Sequence, residues 1–172
     1  MSRIVLLRHA HSTANLKNVL AGRTEGVALS SKGENQAAEL VVRIGKSRFD
    51  AVVVSPIQRC SQTIAPWLAT YGNGIVPLVD EGFSEVDYGT WTGKSLAVLQ
   101  RNKLWKIVQE HPSQMVFPQG ESLMEMQSRA VASFHKVNNL KGRNPRLIVS
   151  HGDVIKSIVA HVLGMHLDDF QR

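Results

Sequence analysis

Short apolar runs alternate along the chain with longer stretches whose apolar residues recur every three or four positions. Four runs read as strands: residues 4–7 (inside an apolar start at residues 1–7), 51–54, 75–79 and 147–149. They are apolar without alternation, the pattern of strands buried on both faces of a parallel sheet. The first helix is predicted from Ser31, where Ser31 and Glu34 have the spacing of a capping box. Ala37, Leu40, Val41 and Ile44 form its stripe, and Gly45 stops it. Ser55-Pro56 predicts a second helix start, with serine as N-cap, proline at the first helical position and Pro66 as a kink or end. Residues 95–111 predict one helix that buries Leu96, Leu99, Leu104, Ile107 and Val108 and is closed by Pro112. Ser122 and Glu125 cap another, striped by Leu123, Met126, Ala130, Val131 and Phe134. Residues 153–163 predict the last, with Ile155, Ile158, Val159 and Val162 inward and Gly164 after it. The alternation predicts an α/β fold: a mostly parallel central sheet flanked by helices, in one domain over residues 1–172.

Three strands run into polar clusters: Arg8-His9-Ala10-His11-Ser12, Ser55 to Arg59, and Ser150-His151-Gly152-Asp153. In open parallel sheets, ligands bind beyond the carboxyl ends of the strands, so the clusters can share one pocket. Two arginines and two histidines there would make a positive cradle suited to the oxygens of a phosphoryl group. Gly152 opens a helix whose free N–H groups favour an anion. The formal net charge of +6 agrees with an anionic partner. Lysines and arginines are scattered and aromatics are only 6%, so small anionic substrates are expected and nucleic acid is not. No apolar run reaches membrane-spanning length. Residues 1–7 lack the long apolar region and cleavage site of a signal peptide. Cys60 is the single cysteine, so no internal disulfide forms, and a cytoplasmic location is expected.

At these residues the chain resembles the histidine phosphatase superfamily, the phosphoglycerate mutase-like family. The resemblance starts in residues 7–15, with Arg8-His9, Ser12 and Asn15. It continues through Gly22-Arg23, Leu29-Ser30, Gly33, Gln36-Ala37, Ser55-Pro56, Arg59, Gln62 and Thr63. Glu85, Tyr88-Gly89, Trp91, Gly93, Gly120-Glu121-Ser122 and Val149-Ser150-His151-Gly152 complete it. It implies a three-layer sandwich and phosphoryl transfer through a phosphohistidine, without metal or cofactor. His9 would be the nucleophile. Arg8, Arg59 and His151 would hold the phosphoryl oxygens, with Asn15, Arg23 and the Gly152 backbone also binding phosphate. Glu85 would be the proton donor; on the residues alone, Asp80, Glu81 and Asp87 compete with it. Tyr88 and Trp91 could wall it off and raise its pKa, against the pull of the arginines. Ala10 stands where glycine is usual, a difficulty if positive φ is needed there. The C-terminal strand and tail usual in relatives are expected to be missing after Arg172. The expected activity is a phosphatase acting on a small phosphate monoester, as monomer or homodimer; a phosphomutase is the alternative.

Three other readings fare worse. His9-x-His11 with His151 and Asp153 could open a metal hydrolase site, but Arg8 would repel the cation and the matching barrel needs about 250 residues. Gly89 to Ser95 misses a P-loop by one residue between its glycines. An inactive phosphate-binding protein on the same fold is disfavoured because every catalytic position holds the expected residue type. Lys94, Lys103 and Lys106 are candidates for a second anionic group, although exposed helix lysines are the simpler explanation.

Overall fold

The computed structural model describes residues 3–171. Met1 and Ser2, the first positions of the expected N-terminal strand run, and Arg172 lie outside the described residues. Four strands form one parallel sheet: β1 (Ile4–Arg8), β2 (Ala51–Val54), β3 (Leu78–Val79) and β4 (Arg146–Ser150), in the order β1-β4-β2-β3. The helices are α1 (Thr13–Leu16), α2 (Ser31–Ile44), α3 (Gln58–Tyr71), α4 (Leu96–Leu99), α5 (Lys103–Glu110), α6 (Leu123–Asn138) and α7 (Gly152–Val162).

The strand pleat sorts the core into two faces. Val52, Val54, Leu147 and Val149 pack with Cys60, Ile64 and Trp67 of α3, and α2 lies against α3. Val53 and Ile148 point the other way, into Met126 and Ala130 of α6 and Val154 and Ile158 of α7. Leu147, Ile148 and Val149 are fully buried. Each such side chain contributes roughly 1.5–3 kcal/mol of burial. The expected three-layer α/β architecture is therefore present.

Several local expectations need correction. Only Leu78–Val79 of the third apolar run joins the sheet. Asn73 and Gly74 turn the chain through positive φ, and Pro77 has no N–H to donate. Residues 95–111 form two helices, because the Asn102 side chain accepts from the Leu104 N–H and starts α5 afresh. The cap of α2 is Ser30, whose hydroxyl accepts from Gly33 N. Helix α3 begins at Gln58 rather than Pro56; the Ser55 hydroxyl accepts from the Ile57 N–H at 3.3 Å in the turn before it and also from His151. Pro66 does not end α3; buried Ile64 and Trp67 hold the helix through it. The capping box at Ser122 and Glu125 forms as expected. Helix α1 was not foreseen; Ser12 and Asn15 build its own capping box.

The register aligns the strand ends that matter. Arg8 pairs with Ser150 and Val54 with Val149. His9 N donates to Ser150 O at 2.9 Å, and Ser55 N to Val149 O at 2.9 Å. The three polar clusters thus leave the sheet side by side. Much of the family pattern outside them braces the loop after β1. Gln36 accepts from His11 N, Gln62 accepts from Leu29 N, and Thr63 accepts from Ala10 N. Ala10 is not among the positive-φ residues, so its side chain causes no backbone strain.

Gly33 has a specific reason to be glycine: a Cβ there would sit 2.0 Å from the His11 carbonyl oxygen. Helix propensity alone would make Gly33→Ala stabilising by about 1 kcal/mol. The backbone contact reverses the sign, and the expected outcome is a loss of about 1–3 kcal/mol in denaturant unfolding. A stabilised alanine variant would show that α2 does not press on this loop.

Candidate active site

The polar clusters converge on a cleft of about 200 Å³. His9 is 8% exposed, and its ring centroid lies 5.2 Å from that of His151, which is fully buried. The His9 Nδ1 is 2.7 Å from the Ala10 carbonyl oxygen. A carbonyl only accepts, so Nδ1 carries the proton and Nε2 keeps its lone pair. Burial, then the charges of Arg59 and Arg8, hold the His9 pKa down at about 4. The imidazole is neutral at pH 7, as a nucleophile requires.

Arg59 is 1% exposed. One of its amino groups donates to Gly22 O at 3.0 Å and lies 3.1 Å from His151 Nδ1. A guanidinium cannot accept, so His151 presents a lone pair there and its Nε2–H donates to Ser55 Oγ at 2.8 Å. Burial, reinforced by Arg59, holds the His151 pKa well below its ordinary value. The positive charge of the cleft therefore comes from the arginines, not from the histidines. Arg59 Nε and its other amino group are buried with no hydrogen-bond partner. Leaving buried charged donors unpaired is costly, and an anion in the cleft would relieve it. Arg8 lines the same cleft, with its guanidinium against the first turn of α7 at Gly152.

Glu85 faces these cations. Its Oε2 is 3.6 Å from His151 Nδ1 and 3.8 Å from an Arg59 amino group. Burial first, then the neighbouring Asp153 carboxylate, raise its pKa to about 7, outweighing Arg59 and Arg8. Its acidic neighbours are occupied elsewhere. Asp80 accepts from Gly82 N and Ser133 Oγ, Glu81 accepts from Ser84 Oγ, and Asp87 accepts from Gly89 N. Of the four, Glu85 alone lines the cleft.

Sequence reasoning missed the clamp behind Glu85. Arg129 on α6 donates to the carbonyls of Gly82, Ser84 and Glu85. Glu121 grips Arg129 with both oxygens, at 2.9 and 2.6 Å, and also accepts from Asp87 N. Asp153, named above in the third polar cluster and only as a candidate metal ligand, lines the cleft beside Glu85 and accepts from the Tyr88 hydroxyl at 3.0 Å. Arg129 lies 44 residues from Glu85 and gave no local signal.

Other expected residues divide. Asn15 lines the cleft; its Oδ1 accepts from Ser12, leaving the amide NH₂ for a ligand. Arg23 does not line the cleft. It donates to the Glu85 carbonyl and pairs with Glu121 at 2.9 Å, so it joins the clamp. Tyr88 walls the cleft, but Trp91 is packed in the core against Phe117 and Trp105. His11 bonds Ser30 Oγ and is not grouped with His9. Ligand atoms of His9, Glu85 and His151 do lie within 4.8 Å of one another. The Arg59 guanidinium sits beside two of the three, so the donor set fits an anion better than a cation. Cys60 is buried, which pushes its thiol up to about 12 and leaves it unreactive. A larger groove of about 600 Å³ along Ile4, Leu6, Phe134 and Ile158 contains none of the cleft residues.

The parallel α/β sheet with an anion-suited cleft beyond its strand ends defines the class of this protein, and comparison with known families identifies it. The family model of the histidine phosphatase superfamily (branch 1) matches residues 4–172, so the chain belongs to that superfamily. It is 30% identical over 165 residues to the uncharacterized phosphatase PhoE of Bacillus subtilis (strain 168), covering 95% of this chain and 79% of that protein. It is 26% identical to the 2,3-bisphosphoglycerate-dependent phosphoglycerate mutase of Cytophaga hutchinsonii, covering 94% and 78%. The structure of YhfR from Bacillus stearothermophilus superposes with a TM-score of 0.86 at 24% identity, covering 96% of this chain and 81% of that one. No helix among the described residues is long and apolar enough to cross a membrane.

The orphaned donors of Arg59 give a direct test of anion binding. At a hundred times its Kd, inorganic phosphate should stabilise the protein by about 2.7 kcal/mol, read as a raised Tm. Arg59→Met keeps similar bulk without donors and should lose most of that shift. A full phosphate shift in the variant would remove Arg59 from the anion site.

Proposed function

We propose that this protein is a phosphatase that hydrolyses a small phosphate monoester through a phosphohistidine on His9. His9 Nε2 attacks phosphorus. The N–P bond forms as the ester P–O bond breaks, and the Glu85 carboxyl proton passes to the departing alkoxide. Water then attacks the phosphohistidine and gives a proton to Glu85. The N–P bond breaks, and phosphate and neutral His9 are regenerated. Arg8 and Arg59 stabilise the charge on the transferring oxygens, with the Asn15 amide and the Gly152 N–H group beside them, while neutral His151, its N–H given to Ser55, positions Arg59. Arg23 acts on this site only through the Glu85 backbone.

The observation that carries the reading is the pairing of a neutral imidazole, whose free lone pair is Nε2, with a buried guanidinium that has two donors unmet. Phosphatase is favoured over phosphomutase by the segment after Trp91. Trp105 stacks on Trp91 in the core, so α5 is docked away from the cleft, and of this segment only Leu96 lines it. Water keeps its access.

The reaction needs neutral His9 and protonated Glu85. Activity should fall on the acid side as His9 protonates near 4, and on the alkaline side as Glu85 ionises near 7. The pH profile of kcat/KM should therefore peak below neutrality. Asp153→Asn removes a charge that holds the Glu85 pKa up, so it should move the alkaline limb to lower pH. Glu85→Gln should lose about 10²–10⁴ in rate on an alkyl phosphate. It should lose far less on para-nitrophenyl phosphate, whose leaving group needs no proton. The decisive screen sets wild type beside His9→Ala over small phosphate esters in EDTA. Wild type alone should turn over; equal activity in the alanine variant refutes the nucleophile.

A further inference from the structure

The cleft holds few cations. Among the described residues, Arg8 and Arg59 are the only lysine or arginine side chains lining it, and His9 and His151 are held neutral. Two guanidinium groups match one phosphoryl dianion. The chain leading away from the Gly22 carbonyl, which accepts from Arg59, supplies an aliphatic wall of Val19, Leu20 and Ala21, completed by Leu96. Backbone bonds zip the two segments together. Leu20 N donates to Lys94 O at 3.0 Å, Gly93 N to Leu20 O at 2.8 Å, and Leu96 N to Asn18 O at 2.9 Å. The wall is thus a fixed part of the fold.

Apart from the proton donor Glu85, the polar side chains left to meet a leaving alcohol are Ser12, Asn15, Tyr88 and Asp153, the last accepting from the Tyr88 hydroxyl, and none of them is a cation. Lys94, Lys103 and Lys106 do not line the cleft, and Lys106 pairs with Glu110 at 3.6 Å. A carboxylate or second phosphate on the substrate would lose water against aliphatic carbon and meet Asp153 with no cation to offset either. A volume of about 200 Å³ lies below the usual range of ligand pockets, which keeps the alcohol small.

We infer that the cleft selects monophosphate esters of small, uncharged alcohols that lay a carbon face on Val19, Leu20, Ala21 and Leu96, and that it discriminates against a second anionic group. The inference rests on the phosphatase reading of the same site. It is tested by kcat/KM of the full chain for propyl phosphate, glycerol 3-phosphate and 3-phosphoglycerate, with para-nitrophenyl phosphate as a reference. The last two physiological esters differ by a hydroxymethyl group against a carboxylate. Wild type should favour propyl phosphate and glycerol 3-phosphate over 3-phosphoglycerate by about tenfold or more. Leu96→Arg, or Val19→Arg should the first fold poorly, should narrow that gap by supplying the missing cation. Brisk turnover with 3-phosphoglycerate equal or better overturns the selectivity and leaves the phosphatase reading standing. No turnover of any of the four esters overturns the phosphatase reading itself.

Discussion

A buried guanidinium with unmet donors is the constraint around which this protein is arranged. Arg59 lies in the first turn of α3, where Thr63 ties its carbonyl down and Gly22 and His151 hold one amino group. Desolvating such a charge is unfavourable, and the fold pays part of that back only when an anion accepts from Nε and the other amino group. The same charge sets the state of its neighbours. It adds to burial in keeping both histidines neutral. The cradle is therefore positive by arginine, and the imidazole inside it keeps a lone pair.

The opposing element is an acid that stays protonated near neutrality despite facing arginines. Burial and Asp153 win over Arg59 and Arg8 at Glu85. Such a balance holds only if the carboxyl cannot swing closer to the guanidinium or out to water. Arg129, Arg23 and Glu121 supply that restraint by fixing the carbonyls and amides of the loop from Gly82 to Asp87. Nucleophile and anion cradle thus leave the carboxyl ends of β1, β2 and β4, while the acid sits on the loop after β3, which Ser150 of β4 ties in through the Phe83 carbonyl.

How much of this was legible in the sequence follows from how local each signal is. β2 and β4 are buried and continuously apolar, and β1, though an edge strand with Val5 exposed, carries the same apolar run, so all three and the clusters at their ends stood out. His9, Arg59 and His151 could be grouped because parallel strands end together. Glu85 could not be separated from Asp80, Glu81 and Asp87 by chemistry, since all four are carboxylates within eight residues. Their different partners exist only in three dimensions. Ser55 read as a helix cap because serine before proline usually is one; its hydroxyl does accept from the nearby Ile57 N–H, but it also answers a buried histidine 96 residues away, which no local pattern could show. Arg23 read as a phosphate ligand, but two acceptors on the clamp hold it there. The split between α4 and α5 turned on one asparagine inside an unbroken apolar period.

The central claim is that a phosphoryl group is carried on the unprotonated nitrogen of His9. Rapid mixing with a fast-reacting ester, quenching in alkali and mass spectrometry of the intact and digested protein would read it directly. The account predicts a transient, acid-labile phosphoryl adduct on the peptide that holds His9, formed and lost at the rate of turnover. Steady hydrolysis with no adduct on that peptide, or an adduct on another residue, would contradict it.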